Sequence, residues 1–323
     1  MPVISYARAI REALAEELER DETVFIMGQD VGAYGGAFGI TKGLQARFGD
    51  RRVFDTPISE TLIVGGGVGA AITGLRPVVE LQYADFVAIA MDEIFNKAAK
   101  WRYMHGSLFT VPLVIRAPGG AANGGGPEHS QSPEALFTSA AGLHVVTPAT
   151  PADAKGLLKS AIRSDNPVLF IEHKALYGLK GEVPEGEHLV EIGKADIKRE
   201  GSDVTVVAWT TLLHRSLEAA QLLAAEGISV EVIDPRGIRP LDLDVIIKSV
   251  RKTGRLVIAH EAPKPGGAGA ELAALIAEEA MDYLAAPIRR VAGADIPMPQ
   301  NSNLEKYAIP GTDAVLAAIR SVL

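Results

Sequence analysis

The sequence predicts an α/β protein with two domains and largely parallel sheets. Short apolar runs, the size of buried strands, alternate with stretches of helical periodicity along most of the chain. This alternation is typical of parallel sheets covered by helices. With 323 residues, the chain is also longer than one ordinary hydrophobic core accommodates, so two domains are expected.

The elements predicted in the first half of the chain begin with a helix over about 5–20, in which apolar residues recur on one face. Ser59 is a good N-cap for a second helix that runs to about Thr73, and Gly74 can end that helix. A glycine-rich loop is expected over 28–39. Short apolar runs predict strands at 24–27, 53–54, 77–81, 111–116, 144–146 and 168–172.

A change of composition divides the chain. The stretch 178–187 is rich in glycine, proline and charge and has no hydrophobic periodicity, which is typical of a linker. We therefore expect a first domain over 1–178, a linker over 179–199 and a second domain over 200–323. The second domain repeats the α/β pattern, with strands predicted at 204–208, 229–233 and 256–258 and helices at 213–226 and 243–250.

Composition and charge exclude several classes of function. The chain has no cysteine, which excludes disulfides, thiolate zinc sites and cysteine nucleophiles. Its formal net charge of -8 disfavours nucleic acid, which needs a basic face, and suits a basic protein partner. The chain holds no run of about 18 uncharged apolar residues, so no membrane span is expected. Its first residues carry no export signal, which favours a cytoplasmic location.

An acidic residue, Glu60, opens the predicted glycine-rich helix. A carboxylate in a first helical turn gains about 0.3–1 kcal/mol from the helix dipole, so a charged helix terminus is the simplest interpretation. The glycines at 65–69 would then allow another backbone segment to pack closely. A role for Glu60 in chemistry stays open at this point.

The same segment contains a competing pattern. Residues 62–71 match G-x-G-x-x-A, which in dinucleotide-binding proteins forms the turn between a strand and a helix. Only residues 71–76 separate that turn from the next predicted strand, whereas a parallel crossover needs a dozen residues or more. One continuous helix is therefore the better interpretation, and a dinucleotide site is disfavoured.

A second candidate is His129, in the long glycine-rich loop 117–134. The loop follows the predicted strand ending at Arg116, and α/β proteins place ligand sites at such strand ends. An imidazole is the natural proton donor or acceptor near neutral pH, although an exposed loop histidine without a role is the alternative. The other histidines show no metal-ligand spacing and are interpreted as structural: His105, His144, His173, His188, His214 and His260.

Five short segments form a recognisable set: DTPISE at 55–60, QYADF at 82–86, HSQSPE at 129–134, AKGLL at 154–158 and KTGRLVIAHEAP at 252–263. In this order they resemble the β-subunits of the first component of 2-oxo acid dehydrogenases, of the pyruvate, branched-chain and acetoin types. The likeness runs from about Ser5 to the C-terminus. None of the motifs suffices alone, but their combination is specific.

The resemblance implies a fold and an assembly. A transketolase-like pyrimidine-binding domain with mostly parallel sheet would be followed by a transketolase C-terminal domain. With an α-subunit the chain would form an α2β2 enzyme that binds thiamine diphosphate at the α/β interface. The expected activity is oxidative decarboxylation of a 2-oxo acid and reductive acylation of the lipoyl group of an acyltransferase component.

The resemblance also implies roles for individual residues. Glu60 matches the acid that hydrogen-bonds the aminopyrimidine ring of the cofactor, and a buried carboxyl group can share a proton with a ring nitrogen. Ile58, Gln82 and Phe86 match residues that line the pyrimidine pocket, although many relatives have tyrosine at the position of Phe86. His129 matches the histidine assigned to acyl transfer onto the lipoyl arm.

Metal sites are implied in two places. A potassium site, built mostly of backbone carbonyls, is implied around Val111, Leu113, Val114, Ala161, Ser164 and Asn166. Thiamine enzymes also hold the diphosphate through a metal ion bound by a Gly-Asp-Gly segment, and this chain contains no such segment. The α-subunit is therefore expected to hold the diphosphate and Mg²⁺.

Two alternatives to the 2-oxo acid dehydrogenase subunit stay within enzyme chemistry: an acetoin-cleaving dehydrogenase subunit, and the C-terminal half of a split transketolase-like enzyme. The latter needs basic residues for sugar phosphates, whereas the loop before His129 is made of glycine. A scaffold or electron-transfer module with the same fold is the non-enzymatic alternative. Such a module would need neither Glu60 nor His129 in its motif.

Overall fold

In the computed structural model, all residues from 1 to 323 are described, and they divide into two compact units. The first unit comprises residues 1–119 and 137–192, and the second comprises residues 120–136 and 193–323. The loop 120–136 thus belongs to the second unit, which the sequence pattern did not predict. The stretch interpreted as a linker contains two strands, Lys180–Glu182 and Asp196–Arg199.

The first unit is built on an α/β pattern, as predicted. Its strands are β1 (Val3–Ser5), β2 (Val24–Gly28), β3 (Val53–Asp55), β4 (Arg76–Glu80), β5 (Val114–Gly119), β6 (His144–Val146), β7 (Val168–His173) and β8 (Lys180–Glu182). Its helices are α1 (Tyr6–Arg20), α2 (Leu44–Phe48), α3 (Glu60–Ile72), α4 (Trp101–Met104) and α5 (Pro151–Arg163). Shorter helical turns occur at Ala84–Ala88, Glu93–Ala98 and Lys174–Leu176.

Six strands of this unit form one parallel sheet in the order β6-β7-β5-β4-β2-β3. The short strands β1 and β8 pair antiparallel beside it. Burial on both faces explains why the central strands are continuous apolar runs. In register, Glu80 at the end of β4 lies opposite Arg116 in β5.

Helix α1 shows how the local sequence sets an element. Ser5 caps it by accepting a hydrogen bond from the Arg8 backbone N–H at 3.2 Å. Its face with Ile10 and Leu14 is fully buried in the core, as the periodicity predicted. Against α5, the buried Glu17 pairs with Arg163 at 2.6 Å, so ion pairs flank the apolar contact between the two helices.

Helix α3 is a single helix, so the competing interpretation of 62–71 as a dinucleotide turn is wrong. Gly74 follows it in the left-handed region, with φ of 98°. Among the glycines of α3, Gly67 has a close-packing role, although it faces side chains and not the expected backbone segment. A Cβ atom at Gly67 would lie 2.8 Å from the side chain of Val79 and 2.9 Å from that of Leu113, so only glycine lets α3 approach the sheet this closely.

The second unit repeats the α/β pattern. Its strands are β9 (Asp196–Arg199), β10 (Val204–Ala208), β11 (Val230–Asp234), β12 (Gly237–Arg239), β13 (Leu256–Pro263) and β14 (Arg289–Gly293). Its helices are α6 (Thr210–Ala224), α7 (Leu243–Thr253), α8 (Ala268–Ala280), α9 (Ser302–Ala308) and α10 (Thr312–Arg320), with a short turn at Met281–Tyr283.

Its sheet has the order β14-β13-β10-β11-β9, with only β9 antiparallel. The apolar residues of β10 and β13 form its core with α7 and α8. Neither unit contains a helix with the length and apolar character needed to cross a bilayer.

Candidate functional site

Three parallel strands of the first unit end side by side, in the order β4, β2, β3. The turn after β3 leads to Glu60, and the segment after β4 carries Gln82 and Phe86. Because the carboxyl ends of parallel strands share an edge, both segments begin at the same edge of the sheet. A hydrogen bond of 3.0 Å, from Thr61 Oγ1 to the carbonyl oxygen of Ile89, joins them.

Glu60 lies where these two segments meet, in an environment that is uncommon for an acidic side chain. It is only 8% exposed, and its carboxylate forms no hydrogen bond or ion pair with another group of the protein. A shielded carboxyl group without a protein partner is available to a ligand, and its acceptor oxygens fit a ring nitrogen that carries a proton.

The surroundings of Glu60 are apolar and exposed. Ile58 is 71% exposed, Leu62 56% and Ile89 55%, although these side chains belong to the type that folded proteins bury. Large apolar side chains exposed around one shielded acid are typical of a surface that binds a ligand or another protein. This surface contains Ile58, and the family resemblance implies that Ile58 lines the pyrimidine pocket.

Gln82 and Phe86 are half-buried in the segment that follows β4. The Phe86 ring packs edge-on against Tyr83, with ring centres 6.0 Å apart, and Tyr83 packs in the same way against Phe38 at 5.6 Å. The Lys174 ammonium group lies over the Tyr83 ring at 5.2 Å. These contacts hold the segment against the glycine-rich loop after β2, which fixes the position of Phe86.

A buried ion cluster links the strands β4, β5 and β7. The guanidinium of Arg116, which is fully buried, donates to both oxygens of Glu172, at 2.6 and 2.9 Å, and also to Glu80. Tyr177 donates its hydroxyl hydrogen to Glu172 at 2.8 Å. The cluster ties together the strands that lead into the segment 81–86 and the loop after Gly119.

Burial sets the protonation of this cluster. Desolvation raises the pKa of Glu80 above its ordinary value, and the charge of Arg116 offsets that only in part. Desolvation also opposes the charge of Arg116, but Glu172 and Glu80 outweigh it and raise the pKa of the guanidinium. Arg116 therefore keeps its charge, while Glu80 is easier to protonate than an exposed glutamate.

Sequence reasoning missed this cluster. Arg116 was recognised only as the last residue of a strand, and neither Glu80 nor Glu172 was singled out. The available signal was the occurrence of charged residues at the ends of three otherwise apolar strands, where burial demands a partner of opposite charge.

The loop that carries His129 belongs to the second unit, whereas Glu60, Ile58, Gln82 and Phe86 belong to the first. His129 is half-buried, and its backbone N–H donates to the carbonyl of Gly126 at 3.4 Å. Within the second unit, the loop borders a cavity of about 420 Å³. Its lining is mostly apolar and includes Pro127, Pro133, Ala262, Pro263, Ile296 and Met298.

The residues implied for potassium lie at the end of α5 and beside β5 and β7: Val111, Leu113, Val114, Ala161, Ser164 and Asn166. Backbone N–H groups donate to the carbonyls of Val111, Leu113 and Ala161. The guanidinium of Arg76 donates to the carbonyl of Ser164 at 3.0 Å, and that of Arg102 donates to Asn166 Oδ1 at 2.7 Å. Two oxygens of this set thus accept from guanidinium groups, and the potassium site stays a prediction.

Comparison with known proteins identifies both halves of the chain. The transketolase pyrimidine-binding domain matches residues 3–180, and the transketolase C-terminal domain matches residues 193–315. A solved structure described as a split gene transketolase, inactive beta4 tetramer, has a TM-score of 0.82 and 26% sequence identity. That match covers 99% of this chain and 98% of the other. The predicted fold class is thereby confirmed.

Several relatives are much more similar in sequence. The 2-oxoisovalerate dehydrogenase subunit beta of Bacillus subtilis is 48% identical, with 100% of this chain and 99% of the relative covered. The pyruvate dehydrogenase E1 component subunit beta of Rhizobium meliloti is 47% identical over 100% of this chain and 70% of the relative. The acetoin:2,6-dichlorophenolindophenol oxidoreductase subunit beta of Cupriavidus necator is 44% identical over 99% and 97%.

These matches extend over essentially the whole chain. The chain belongs to the transketolase-like family formed by the β-subunits of the first component of 2-oxo acid dehydrogenases.

Proposed function

We propose that this chain is the β-subunit of an α2β2 thiamine-diphosphate-dependent 2-oxo acid dehydrogenase. The enzyme would decarboxylate a 2-oxo acid oxidatively and acylate the lipoyl group of an acyltransferase component. The observation that carries the proposal is Glu60, a shielded carboxyl group without a protein partner amid exposed apolar side chains. The names of the relatives from Bacillus subtilis and Rhizobium meliloti support the reaction class.

When bound, thiamine diphosphate supplies a carbon nucleophile and an electron sink for decarboxylation. The residues of this chain would prepare it for that chemistry. A Glu60 oxygen would hydrogen-bond a nitrogen of the aminopyrimidine ring and hold a proton there. Ile58 and Phe86 would pack against the ring and exclude water, and the Gln82 amide would orient it through a hydrogen bond.

The remaining half of the cofactor site would come from the α-subunit. No Gly-Asp-Gly segment occurs in this chain, and no group of three or more acidic or histidine side chains forms a metal site in the structure. An α-subunit with that segment would hold Mg²⁺ and the diphosphate. The exposed apolar side chains around Glu60 would then be covered by cofactor and partner together.

His129 would act in the second half of the reaction. A histidine is suited to donate a proton near neutral pH, and the family resemblance implies a role in acyl transfer onto the lipoyl arm for this position. The apolar cavity beside the loop is compatible with an aliphatic arm that approaches His129.

One alternative keeps the site and changes the substrate. The relative from Cupriavidus necator, named for acetoin, is 44% identical over 99% of this chain, so acetoin cleavage is the second candidate. Transketolase chemistry is less well supported, because the loop before His129 offers glycines where sugar phosphates need basic side chains.

The decisive experiment reconstitutes the chain with an α-subunit that carries the Gly-Asp-Gly segment, thiamine diphosphate and Mg²⁺. Pyruvate, branched 2-oxo acids, acetoin and a ketose phosphate are then compared as substrates. Glu60→Gln should lower turnover roughly 10²–10⁴-fold, whereas Glu22→Gln, on the exposed surface, should leave it unchanged. Turnover of the ketose phosphate alone, or near-normal turnover by Glu60→Gln, would contradict the proposal.

A further inference from the structure

The loop of residues 120–136 has a defined conformation within the second unit. The N–H of Gly120 donates to the carbonyl of Gln131 at 2.8 Å and closes the loop on itself. Asn123, Gly124 and Gly126 adopt left-handed backbone conformations, with φ of 57°, 73° and 76°. Such a glycine-rich segment loses much conformational entropy when it is fixed, so its fixed course requires specific contacts.

Two carboxylates supply those contacts. Glu261, near the end of β13, accepts the Ala121 N–H at 2.6 Å with one oxygen and the Thr211 hydroxyl at 2.9 Å with the other. Glu305, in α9, accepts the Gly124 N–H at 2.9 Å. The two acids are 5% and 7% exposed, so each loop N–H donates to an anion largely shielded from water, where such bonds are strong.

The fit at the second contact is close. A Cβ atom at Gly124 would lie 2.3 Å from the carbonyl oxygen of Gln300, a distance that no side chain tolerates. Gly124 is therefore required both for its backbone conformation and for its approach to residue 300. The first part of the loop is thus docked at two points, three residues apart, on the unit that contains Glu261 and Glu305.

We propose that Glu261 and Glu305 are positioning residues that hold this loop so that His129 keeps one orientation for acyl transfer. This inference rests on the proposed function of His129. Neither carboxylate would touch the substrate. Each would act through the backbone of the loop that carries His129. Misplacement of a proton donor by about 1 Å is enough to lower a rate roughly 100-fold, so the position of this loop would matter to the rate.

The test uses the reconstituted α2β2 enzyme and two assays, acylation of a lipoyl domain and turnover with an artificial electron acceptor. Glu261→Ala should lower lipoyl acylation about 10–100-fold and change the artificial-acceptor rate much less. Glu261→Gln keeps one acceptor oxygen for the Ala121 N–H and should recover most of the lost rate. Glu128→Gln, exposed on the same loop, is the matched control and should have no effect.

Combination with His129→Ala separates positioning from general stability. If Glu261 acts only through His129, then Glu261→Ala should add nothing in the His129→Ala background. An equal loss of lipoyl acylation in both backgrounds, or an equal loss in both assays, would overturn the inference. Glu305→Ala should follow the same pattern and guards against a folding defect peculiar to Glu261→Ala.

Hydrogen exchange of the full chain gives a readout that does not depend on the reaction. The amides of Ala121 and Gly124 should exchange faster in Glu261→Ala and Glu305→Ala, respectively, while the sheet amides of the second unit keep their protection. Unchanged exchange in the loop would overturn the inference. Faster exchange of these loop amides in an enzyme inactive on every substrate would instead uphold the role of Glu261 and Glu305 in holding the loop and refute the proposed function.

Discussion

Among single residues, His129 allows the two halves of the proposed reaction to be separated. Decarboxylation depends mainly on the bound cofactor as electron sink, whereas acyl transfer to the lipoyl arm needs a proton donor at the site. We therefore predict that His129→Ala lowers lipoyl acylation roughly 10²–10⁴-fold and leaves turnover with an artificial acceptor much less affected. The measurement is the ratio of the two rates in the reconstituted enzyme.

The other outcomes of that experiment are informative. An equal loss in both assays would assign His129 to the positioning of cofactor or substrate. Full activity in both would make it a loop histidine without a role. The control Glu128→Gln changes the neighbouring side chain in the same loop and should behave as the unmodified enzyme.

A second histidine, His260, makes stability depend on pH. Its Nδ1–H donates to the carbonyl of Ala262 at 3.0 Å, while Nε2 is buried without a hydrogen-bond partner. A Cβ atom at Gly267 would lie 2.4 Å from the ring, so the ring is tightly enclosed. Burial lowers the pKa of His260 from 6.5 to about 4, and the ring stays neutral in the folded protein at neutral pH.

The sign of the effect follows from which state binds the proton. Above pH 6.5 the ring is neutral in both states and favours neither. As the pH falls from 6.5 towards 4, only the unfolded chain takes up the proton, so stability decreases by about 1.4 kcal/mol per pH unit. We predict that the second unit loses about 1.4 kcal/mol of stability between pH 7.5 and 5.5 because of this group.

Trp209 provides the readout, because its ring centre lies 6.4 Å from that of His260. Urea unfolding followed by Trp209 emission, in a Trp101→Phe background, should show the loss, and His260→Gln should remove that part of the pH dependence. Identical pH dependence in the two proteins would refute the assignment.

At the scale of elements, the glycines of α3 offer a matched pair. Gly67 faces the sheet, where a Cβ would lie 2.8–2.9 Å from side chains of the core, whereas a Cβ at Gly69 would meet nothing within 4 Å. Alanine raises helix propensity by about 1 kcal/mol at both positions. Only at Gly67 does it also overpack the core, at a cost of about 1–3 kcal/mol.

We therefore predict that Gly69→Ala stabilises the isolated chain, and that Gly67→Ala is less stable than Gly69→Ala by about 1–3 kcal/mol. The helix propensities cancel in this comparison, so the difference reports the contact between α3 and the sheet alone. Thermal unfolding of the two variants measures it. Equal stabilities would show that α3 can move away from the sheet without cost.

The elements that the sequence predicted well are those specified locally. Ser5 and the buried face with Ile10 and Leu14 define α1, and Ser59 with Gly74 brackets α3. The errors lie where distant contacts decide. Strand β5 begins at Val114 instead of 111, because the N–H of Val111 donates to the carbonyl of Asp165 in another loop.

Strand β13 shows the opposite error. The strand was predicted over 256–258 but runs to Pro263. The prediction ended too early because the polar residues His260 and Glu261 look like the end of a strand. Both side chains are buried. Glu261 accepts the N–H of Ala121 from the loop 120–136, and His260 packs closely against Gly269 of α8. Polar residues inside a buried strand cannot be distinguished from a terminus without knowledge of their partners.

The candidate site was predictable to the extent that its motifs are local. Glu60 and His129 were found from short segments and their resemblance to a family. The contacts that hold the site were not found, because they join residues far apart in the chain: Arg116 with Glu172, and Ala121 with Glu261, are 56 and 140 residues apart. Local sequence carries no signal for such pairs.

At the scale of the whole molecule, the proposed function assigns half of a cofactor site to this chain and the other half to a partner. Its exposed large apolar side chains include Ile58 at 71%, Tyr103 at 89% and Leu108 at 88%. Apolar exposure of this kind is typical of a protein–protein interface. The net charge of -8 would favour association with a partner that carries basic residues.

We predict that the chain alone binds thiamine diphosphate and Mg²⁺ negligibly. The proposed contact between Glu60 and the aminopyrimidine ring would be too weak by itself, without a group that holds the diphosphate. Through its exposed apolar surface the isolated chain should also self-associate, as measured by sedimentation velocity. Addition of the α-subunit should abolish this association and produce cofactor binding in the same titration, because one surface serves both. Micromolar binding of the cofactor to the isolated chain, measured by calorimetry, would show instead that the missing metal motif is replaced from within this chain.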